Sequence, residues 1–234
     1  MKSLRVCVVI PAYNEGKVIA GVVRDIKKQL KLHKYDADVV VVNDGSKDDT
    51  SLQAQRGGAL LINHILNSGA GAATATGLSY ANQNGYSIAV TMDADGQHLA
   101  ADVIRGIQTI QSGTSDLLIG SRLIDSKGMS KLKVLGNWGL STITYLLFGV
   151  RTTDSQSGLR VYSRKALESL RWKTSGFEFC SEMIWRATQL GLTIDEYPIQ
   201  VIYTDYSKAK GQNNWNGINI LKSLVRRRLV EIFE

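Results

Sequence analysis

Short runs rich in Val, Ile and Leu alternate along this chain with segments of helical character, and this alternation narrows the fold more than any other feature. Turn or charged residues bound each run, which is typical of strands buried on both faces of a sheet. Strands that alternate with helices predict an α/β fold with a doubly wound, mostly parallel sheet. The predicted strands span residues 4–10, 38–43, 59–63, 86–92 and 116–121, and the predicted helices span 17–32, 48–56, 70–84 and 100–112.

The pattern loosens in the second half but continues the same sheet. A chain of 234 residues without an internal repeat or a Pro-rich linker is long enough for one sizeable domain. Further elements are predicted as a long helix up to residue 148, a strand at 159–163, a helix at 177–190 and a strand at 193–203. The expected division is a domain at 1–215, made of a nucleotide-binding half (1–122) and an acceptor half (123–215), and a basic amphipathic helix at 216–234.

The charge balance is basic, with 28 Lys and Arg against 21 Asp and Glu and a formal net charge of +7. This surplus favours anionic partners such as nucleotides, lipid phosphates or nucleic acid, without choosing among them. Cys7 and Cys180 give no disulfide framework, which suggests buried thiols in a reducing compartment. The apolar run at 6–10 is too short for a secretion signal, and the uncharged stretch at 134–150 is too polar for a membrane span. We therefore expect a cytoplasmic protein.

Polar residues follow three of the predicted strands at the point where each strand ends. The first strand leads into 11–15 (PAYNE), the second into 43–46 (NDGS) and the fourth into 93–98 (DADGQH). Ligands bind beyond the carboxyl ends of the strands in such sheets. The three acidic loops are therefore expected to converge on one site.

Asp93 and Asp95 are the candidate ligands of a divalent cation. Residues two apart on an extended segment face the same way, so both carboxylates can address one hard cation, with the Gln97 carbonyl as a third oxygen. Mg²⁺ or Mn²⁺ held there would offset the charge of a nucleoside diphosphate. The alternative is that the two aspartates only shape the turn in which they lie. Their position after a buried strand, beside two other polar loops, favours the metal site.

Asp44 is held at the tip of the second strand, with the permissive backbone of Gly45 behind it. Its carboxylate can accept hydrogen bonds from a base or a ribose. Capping a helix or forming a turn is the alternative role, and Ser46, Asp48 and Asp49 can fill it equally well. Tyr13 and Glu15 are further candidates for reading the base.

Residues 67–73 (NSGAGAA) form a glycine-rich segment that lacks the lysine and hydroxyl of a P-loop. Close packing of a helix start against the sheet is the favoured interpretation, and phosphate binding is the alternative.

Five motifs, in this order and spacing, resemble the family 2 inverting glycosyltransferases. They are residues 10–15 (IPAYNE), 42–50 (VNDGSKDDT), 67–69 (NSG), 93–98 (DADGQH) and 120–122 (GSR). Residues 154–160 (DSQSGLR) and 206–208 (YSK) are similar to the branch that contains dolichyl-phosphate mannose synthase and bacterial polyprenyl-phosphate glycosyltransferases. The resemblance implies a GT-A fold.

The resemblance also implies a nucleotide-sugar site. Mg²⁺ or Mn²⁺ would sit on Asp95 and Gln97, and on Asp93 directly or through water. Arg122 would approach the donor phosphates, and Lys208 would cover them from a late loop. The implied donor site consists of Pro11, Tyr13, Glu15, Val42, Asp44, Asp93, Ala94, Asp95, Gln97, Arg122 and Lys208.

Two positions depart from the family pattern. The family usually has a lysine where this chain has Ala70, and the mannose synthases often have an arginine where it has Ile202. The contacts to the donor are therefore expected to differ from those in the family. The resemblance identifies neither the sugar nor whether the donor is a GDP-hexose or a UDP-hexose.

The resemblance places the acceptor near Lys131 and Lys133, which occupy about the region of the acceptor-binding arginine in prenyl-phosphate enzymes. Glu182 lies where many relatives keep an acidic residue that faces the acceptor. It is the candidate base if the acceptor is a hydroxyl. Alternatively Glu182 is a glutamate on a helix surface or a partner for Arg160, and Asp154 with Arg160 simply ties their loop together.

The tail at 218–233 places apolar residues at helical spacing among Lys and Arg side chains. This tail either binds an anionic membrane surface or packs on the domain. A lipid-linked acceptor favours the membrane. The apolar positions are Ile218, Leu221, Val225, Leu229 and Ile232.

Together these features predict a metal-dependent inverting hexosyltransferase that is peripheral at the inner face of the cell membrane. Its donor would be a nucleotide-diphosphate sugar, and its acceptor a polyprenyl phosphate or a lipid-linked saccharide. Transfer to a saccharide hydroxyl with Glu182 as base is the first alternative. Nucleotidyl transfer is disfavoured, because it would require a basic loop at 11–16, where this chain is acidic. Nucleic-acid binding is disfavoured, because the acidic rim would repel a phosphate backbone. A non-catalytic nucleotide-binding protein is the remaining alternative.

Overall fold

Seven strands form one sheet in the computed structural model, which describes residues 4–126, 129–202, 206 and 222. The strands are β1 Arg5–Ala12, β2 Asp36–Asn43, β3 Leu60–Asn63, β4 Ile88–Thr91, β5 Leu117–Ser121, β6 Arg160–Tyr162 and β7 Ile194–Pro198. The helices are α1 Ile19–Leu32, α2 Thr50–Gly57, α3 Ala70–Gln83, α4 Ala100–Ser112, α5 Lys131–Phe148, α6 Arg164–Ser169 and α7 Phe179–Gln189.

The strand order across the sheet is β3-β2-β1-β4-β6-β5-β7. Only β6 runs antiparallel to its neighbours β4 and β5, while the other pairs are parallel. The predicted α/β fold with a mostly parallel, doubly wound sheet is therefore confirmed. Because β6 lies between β4 and β5, the second half of the chain supplies a strand to the middle of the sheet.

The core has two parts, one on each face of the sheet. Alternate residues of β1 face opposite sides, so Val8 packs with α1 and α4, while Cys7 and Val9 pack with α3 and α7. Both cysteines are buried, as expected, and burial raises the pKa of the Cys180 thiol to about 11. These thiols therefore belong to the packed interior.

Small residues let α3 lie close to its neighbours. A Cβ atom at Gly77 would collide with the side chain of Val9 in β1, and one at Gly69 would collide with the backbone of Ser175. The backbone N–H of Gly71 also donates to the Ser175 carbonyl at 2.7 Å. The close packing predicted for the start of this helix is present, but Gly69 and Gly71 approach the loop at 174–175, whereas Gly77 approaches the sheet at Val9. Phosphate binding by residues 67–73 stays a prediction.

Three details of the prediction were wrong. Strand β3 is not buried on both faces, because it is the last strand of the sheet, and Leu60 is 44% exposed. The short helix α6 was not predicted, although the Ser163 hydroxyl caps it by accepting from the Ala166 N–H. The last predicted strand, 193–203, ends at Pro198, and among the described residues that follow it Val201 makes an isolated β-bridge with His98.

Among the described residues, no helix has both the length and the apolar character needed to cross a membrane.

Candidate active site

The polar loops after β1 and β2 lie together at the carboxyl edge of the sheet, as predicted. Within this edge, the Asn14 N–H donates to the Ser46 hydroxyl at 2.9 Å and the Glu15 N–H donates to the Thr50 hydroxyl at 2.8 Å. The Asp48 carboxylate accepts from the Thr50 N–H at 3.0 Å and from the Gly16 N–H at 3.0 Å, while the N-cap residue of α2 is Asp49, whose side chain makes no capping bond. These bonds fix the two loops to each other.

Asp93 follows β4 at the same edge, and its carboxylate is held between two residues from different parts of the chain. His98 Nε2 lies 3.2 Å from Asp93 Oδ2. On the other side, a Cβ atom at position 158 would overlap the Asp93 carboxylate, so only glycine leaves it in place. Neither contact was predicted. The signal for the second was Gly158 itself, inside the 154–160 motif.

Asp95 is bonded to Gln97 through both carboxylate oxygens. The backbone N–H of Gln97 donates to Oδ1 at 3.0 Å, and its side-chain nitrogen donates to Oδ2 at 2.6 Å. The amide nitrogen of Gln97, and not its carbonyl oxygen, therefore points at Asp95. For Gln97 to act as the expected oxygen ligand, its amide would have to turn over. Ala94 between the two aspartates is buried.

The pKa values of the two aspartates are shifted in opposite directions. Burial and the negative charge of Asp93 raise the pKa of the Asp95 carboxyl. Burial would also raise the pKa of Asp93, but the His98 hydrogen bond and the charges of His98, Arg122 and Arg160 lower it. A second negative charge is thus unfavourable at Asp95, and a nearby cation would relieve it.

Asp93 and Asp95 fit a hard divalent cation whose remaining ligands come from a substrate. Within 4–126 and 129–202, no group of three or more His, Cys, Asp and Glu side chains is arranged to hold a metal ion. Two carboxylates at one strand end suit Mg²⁺ or Mn²⁺, because Mg²⁺ is commonly bound by one or two carboxylates together with water and phosphate oxygens. The residues present therefore fit such an ion.

Asp44 anchors the glycine-rich segment. Its carboxylate is 2% exposed and accepts from the Ser68 N–H at 2.9 Å and the Gly69 N–H at 2.8 Å. His64 Nδ1 lies 2.7 Å from the same carboxylate, and His64 Nε2 lies 3.0 Å from the Thr76 hydroxyl. His64 was not predicted, since only the fold reveals its position. A direct contact of Asp44 with a nucleotide stays a prediction.

The other predicted base-reading residues differ in exposure. Tyr13 is 38% exposed at the rim, whereas Glu15 is buried and accepts from the Tyr206 hydroxyl at 2.8 Å. The Val42 side chain is fully buried in the core, so only its backbone can face a ligand. Its partner in the sheet is Pro11. Lys208 lies outside the described residues.

Arg122 is bound to Asp154 in a bidentate ion pair. Its Nε and terminal nitrogen donate to the two carboxylate oxygens at 2.6 Å and 2.8 Å. Asp154 is fully buried. Arg160 is also buried and donates to the carbonyls of Ser155 and Ser157. Asp154 and Arg160 thus tie their loop together, as expected, and the ion pair holds Arg122 at the rim.

Glu182 is fully buried in the first turn of α7. Its carboxylate accepts from the Lys173 N–H at 3.1 Å, the Thr174 N–H at 2.9 Å and the Thr174 hydroxyl at 2.7 Å. Both alternatives, a surface glutamate and a partner for Arg160, were therefore wrong. The reason is the loop at 173–174, whose backbone groups the carboxylate satisfies. Its role as a base stays a prediction.

The predicted acceptor lysines, Lys131 and Lys133, are exposed in the first turn of α5, where the Ser130 hydroxyl accepts from the Lys133 N–H. The predicted tail helix at 216–234 lies outside the described residues, apart from Lys222.

Comparison with known proteins gives a consistent set of relatives. The family described as glycosyl transferase family 2 matches residues 7–171. An uncharacterised protein of Methanocaldococcus jannaschii is 40% identical over 227 residues, covering 95% of this chain and 91% of that protein. The UDP-N-acetylglucosamine–dolichyl-phosphate N-acetylglucosaminyltransferase of Methanococcus voltae is 39% identical over 256 residues, covering 100% of both chains. The polyprenol monophosphomannose synthase of Mycolicibacterium smegmatis is 28% identical, covering 95% and 85%.

Solved structures share the fold. Mannosyl-3-phosphoglycerate synthase from Rubrobacter xylanophilus superposes with a TM-score of 0.70 at 17% identity, covering 97% of this chain and 74% of that chain. Glucosyl-3-phosphoglycerate synthase from Mycobacterium tuberculosis, in complex with Mn²⁺, UDP-glucose and phosphoglyceric acid, superposes with a TM-score of 0.71 at 19% identity, covering 97% and 79%. At this identity the likeness supports the fold, and the expected GT-A class is confirmed.

The Arg122–Asp154 pair predicts an acid-sensitive contribution to stability. Burial would raise the pKa of Asp154, but the charge and hydrogen bonds of Arg122 lower it below its ordinary value. A carboxyl whose pKa is lowered by folding stabilises the fold above its unfolded pKa of about 4, and this contribution is lost as the pH falls through the folded value. Asp154→Asn should therefore lower the free energy of unfolding by about 3 kcal/mol near neutral pH, and by less in acid.

Urea unfolding of wild type and variant at neutral pH and at decreasing acidic pH measures this difference. Asp49→Asn, at an exposed position whose carboxylate accepts from the side chain of Gln53, is the matched control with little effect. A difference between wild type and Asp154→Asn that stays constant with pH would contradict the assignment.

Proposed function

Because the chain belongs to glycosyl transferase family 2, we propose that this glycosyltransferase moves a hexose from a nucleoside-diphosphate sugar to a polyprenyl phosphate, with inversion at the anomeric carbon. The observation that carries the proposal is the pair Asp93 and Asp95 at the tip of β4, beside the polar loops after β1 and β2. Relatives named for dolichyl phosphate and polyprenol support the lipid acceptor.

Asp93, Asp95 and, after its amide turns, Gln97 would hold Mg²⁺ or Mn²⁺. When bound, the cation supplies Lewis-acid stabilisation of the diphosphate that leaves as the sugar is transferred. The raised pKa of Asp95 supports this assignment, because the cation would favour its ionised form. The Mn²⁺ in the complex of the mycobacterial synthase is consistent with it.

The rim loops supply the remaining donor contacts. Tyr13 is exposed at the rim and is proposed to stack on the base. Arg122, held by Asp154, is proposed to approach the donor phosphates. Lys208 is proposed to reach the same phosphates. A UDP-linked donor is supported by the name of the relative from Methanococcus voltae, and a GDP-linked donor is the alternative.

The acceptor side favours a phosphate over a hydroxyl. A phosphate is already anionic, so it needs neighbouring cations and no general base. Lys131 and Lys133 are exposed at the start of α5 and can supply that charge. Glu182, the candidate base for a hydroxyl, is fully buried and accepts hydrogen bonds from the loop at 173–174. A carboxylate engaged in this way is poorly placed to take a proton from an acceptor.

The proposed place of the reaction is the inner face of the cell membrane, with the protein peripheral and cytoplasmic. A polyprenyl acceptor supports this, because its hydrocarbon chain stays in the lipid while its phosphate reaches the site.

Metal-dependent transfer is the direct test of this function. We expect sugar transfer from a UDP-hexose to a polyprenyl phosphate to require added Mg²⁺ or Mn²⁺, and Asp95→Asn to lower turnover at least about a hundredfold, because its site loses one carboxylate charge. A panel of UDP- and GDP-sugars, followed by product chromatography, provides the measurement. Asp49→Asn, exposed in a neighbouring loop, is the control that keeps wild-type turnover. Full turnover in excess chelator would rule the mechanism out.

Glu182→Gln separates the two acceptor classes. In this variant one of the two carboxylate oxygens becomes an amide nitrogen, whose N–H groups would face the backbone N–H of either Lys173 or Thr174, so stability should fall by about 1–3 kcal/mol. Below the melting temperature, turnover with a polyprenyl phosphate should stay within about tenfold of wild type, because no base is needed.

Thr174→Val is the matched control, since it removes one hydrogen bond to Glu182 and leaves the carboxylate intact. A turnover loss of several orders of magnitude in Glu182→Gln alone, together with loss of the acidic limb of the pH profile, where a general base becomes protonated, would favour a hydroxyl acceptor.

A further inference from the structure

A histidine connects three segments of the chain at the tip of β2. His64 follows β3, and its backbone N–H donates to the Asn43 carbonyl at 2.9 Å, which continues the pairing of β3 with β2. The imidazole lies between two polar groups, with Nδ1 2.7 Å from Asp44 Oδ1 and Nε2 3.0 Å from the Thr76 hydroxyl of α3. The ring is therefore held on both sides, in contact with the carboxylate that is predicted to meet the nucleotide.

The direction of these hydrogen bonds follows from the chemistry of the carboxylate. An ionised carboxylate only accepts, so Nδ1 of His64 carries a proton and donates to Asp44. When the ring is neutral, Nε2 is the acceptor for the Thr76 hydroxyl. Thr76 thus fixes the plane of the ring, and the ring fixes one oxygen of Asp44.

The two oxygens of Asp44 are occupied unequally. Oδ1 accepts from His64 and from the Ser68 N–H at 2.9 Å, whereas Oδ2 accepts from one group among the described residues, the Gly69 N–H at 2.8 Å. A carboxylate oxygen has two lone pairs, so Oδ1 is saturated and Oδ2 can accept one more hydrogen bond. The backbone is fixed as well, because the Asp44 N–H donates to the Ala12 carbonyl at 2.8 Å. The carboxylate therefore offers a ligand one acceptor position.

One acceptor position discriminates between two nucleobases. The pairing edge of uracil presents one N–H group, at N3, between two carbonyl groups. The same edge of guanine presents two donors side by side, N1–H and the 2-amino group, and a carboxylate satisfies both only when it accepts with both oxygens. At Asp44, guanine would direct its second donor at Oδ1, whose lone pairs are already used. A desolvated donor without a partner lowers affinity.

We propose that His64 is a positioning residue that sets the base specificity of the donor site: by occupying Oδ1 of Asp44, it leaves one acceptor and selects uracil over guanine. This inference rests on the proposed function, with Asp44 facing the base, and it narrows the donor to a UDP-sugar. A contact of Asp44 with a ribose hydroxyl would leave the base unread, and the experiment distinguishes the two contacts.

The test compares binding of UDP and GDP to the full chain, in the presence of Mn²⁺, by isothermal titration calorimetry. Wild type should bind UDP more tightly than GDP. His64→Ala frees a lone pair on Oδ1, so the ratio of the GDP to the UDP dissociation constant should fall at least about tenfold, as expected for one hydrogen bond to a charged group. His64→Asn, whose amide N–H can replace the Nδ1 donor, should keep most of the wild-type ratio.

Two further variants separate specificity from stability. Thr76→Val removes the hydroxyl that holds the ring and leaves His64 and Asp44 in place, so the ratio should fall in the same direction and by less than in His64→Ala. His33→Ala, at an exposed histidine after α1, should leave the ratio unchanged. Thermal unfolding identifies the variants that are folded at the titration temperature. If His64→Ala is unfolded, an unchanged ratio in Thr76→Val overturns the inference.

The outcomes distinguish this inference from the proposed function. GDP binding as tight as UDP binding in the wild type would overturn the inference, and so would a ratio that His64→Ala leaves unchanged. The proposed sugar transfer would stand in both cases, with a GDP-hexose donor or with Asp44 on the ribose. Binding of neither nucleotide, together with no transfer from any sugar of the panel, would refute the proposed function and the inference with it.

Discussion

The contact between Gly158 and the Asp93 carboxylate is the constraint on which the site depends. Asp93 comes from the end of β4, and Gly158 comes from the loop before β6, the antiparallel strand that pairs with β4. The Thr91 hydroxyl donates to the Gly158 carbonyl at 3.0 Å, so the loop is fixed at the strand end. The position of the first aspartate is thus set by the second half of the chain.

The same loop balances charge at the rim. Asp154, at its start, neutralises Arg122, which follows β5, and Arg160, at its end, is buried and donates to two of the loop's carbonyls. The loop therefore brings a carboxylate, a glycine and a guanidinium to one place over seven residues, 154–160.

Much of the fold was predictable from the sequence, because the evidence for it is local. Buried parallel strands need apolar runs, and β1, β2, β4 and β5 were found within two residues of their predicted ends. The convergence of the polar loops followed from the sheet direction. The partners of single side chains were not predictable: Asp44 with Ser68, and Glu182 with Thr174, depend on how distant segments pack. The orientation of the Gln97 amide was likewise visible only in the structure.

Direct measurement of Mn²⁺ binding by electron paramagnetic resonance, in the presence of UDP, tests the account most directly. We predict one bound Mn²⁺ per chain in the wild type, and a loss of at least about tenfold in affinity in Gly158→Ala, because the added methyl displaces Asp93. Gly139→Ala, where a Cβ atom meets nothing within 4 Å, should bind as wild type does. Equal Mn²⁺ affinity in Gly158→Ala and wild type, with both folded, would contradict the central claim.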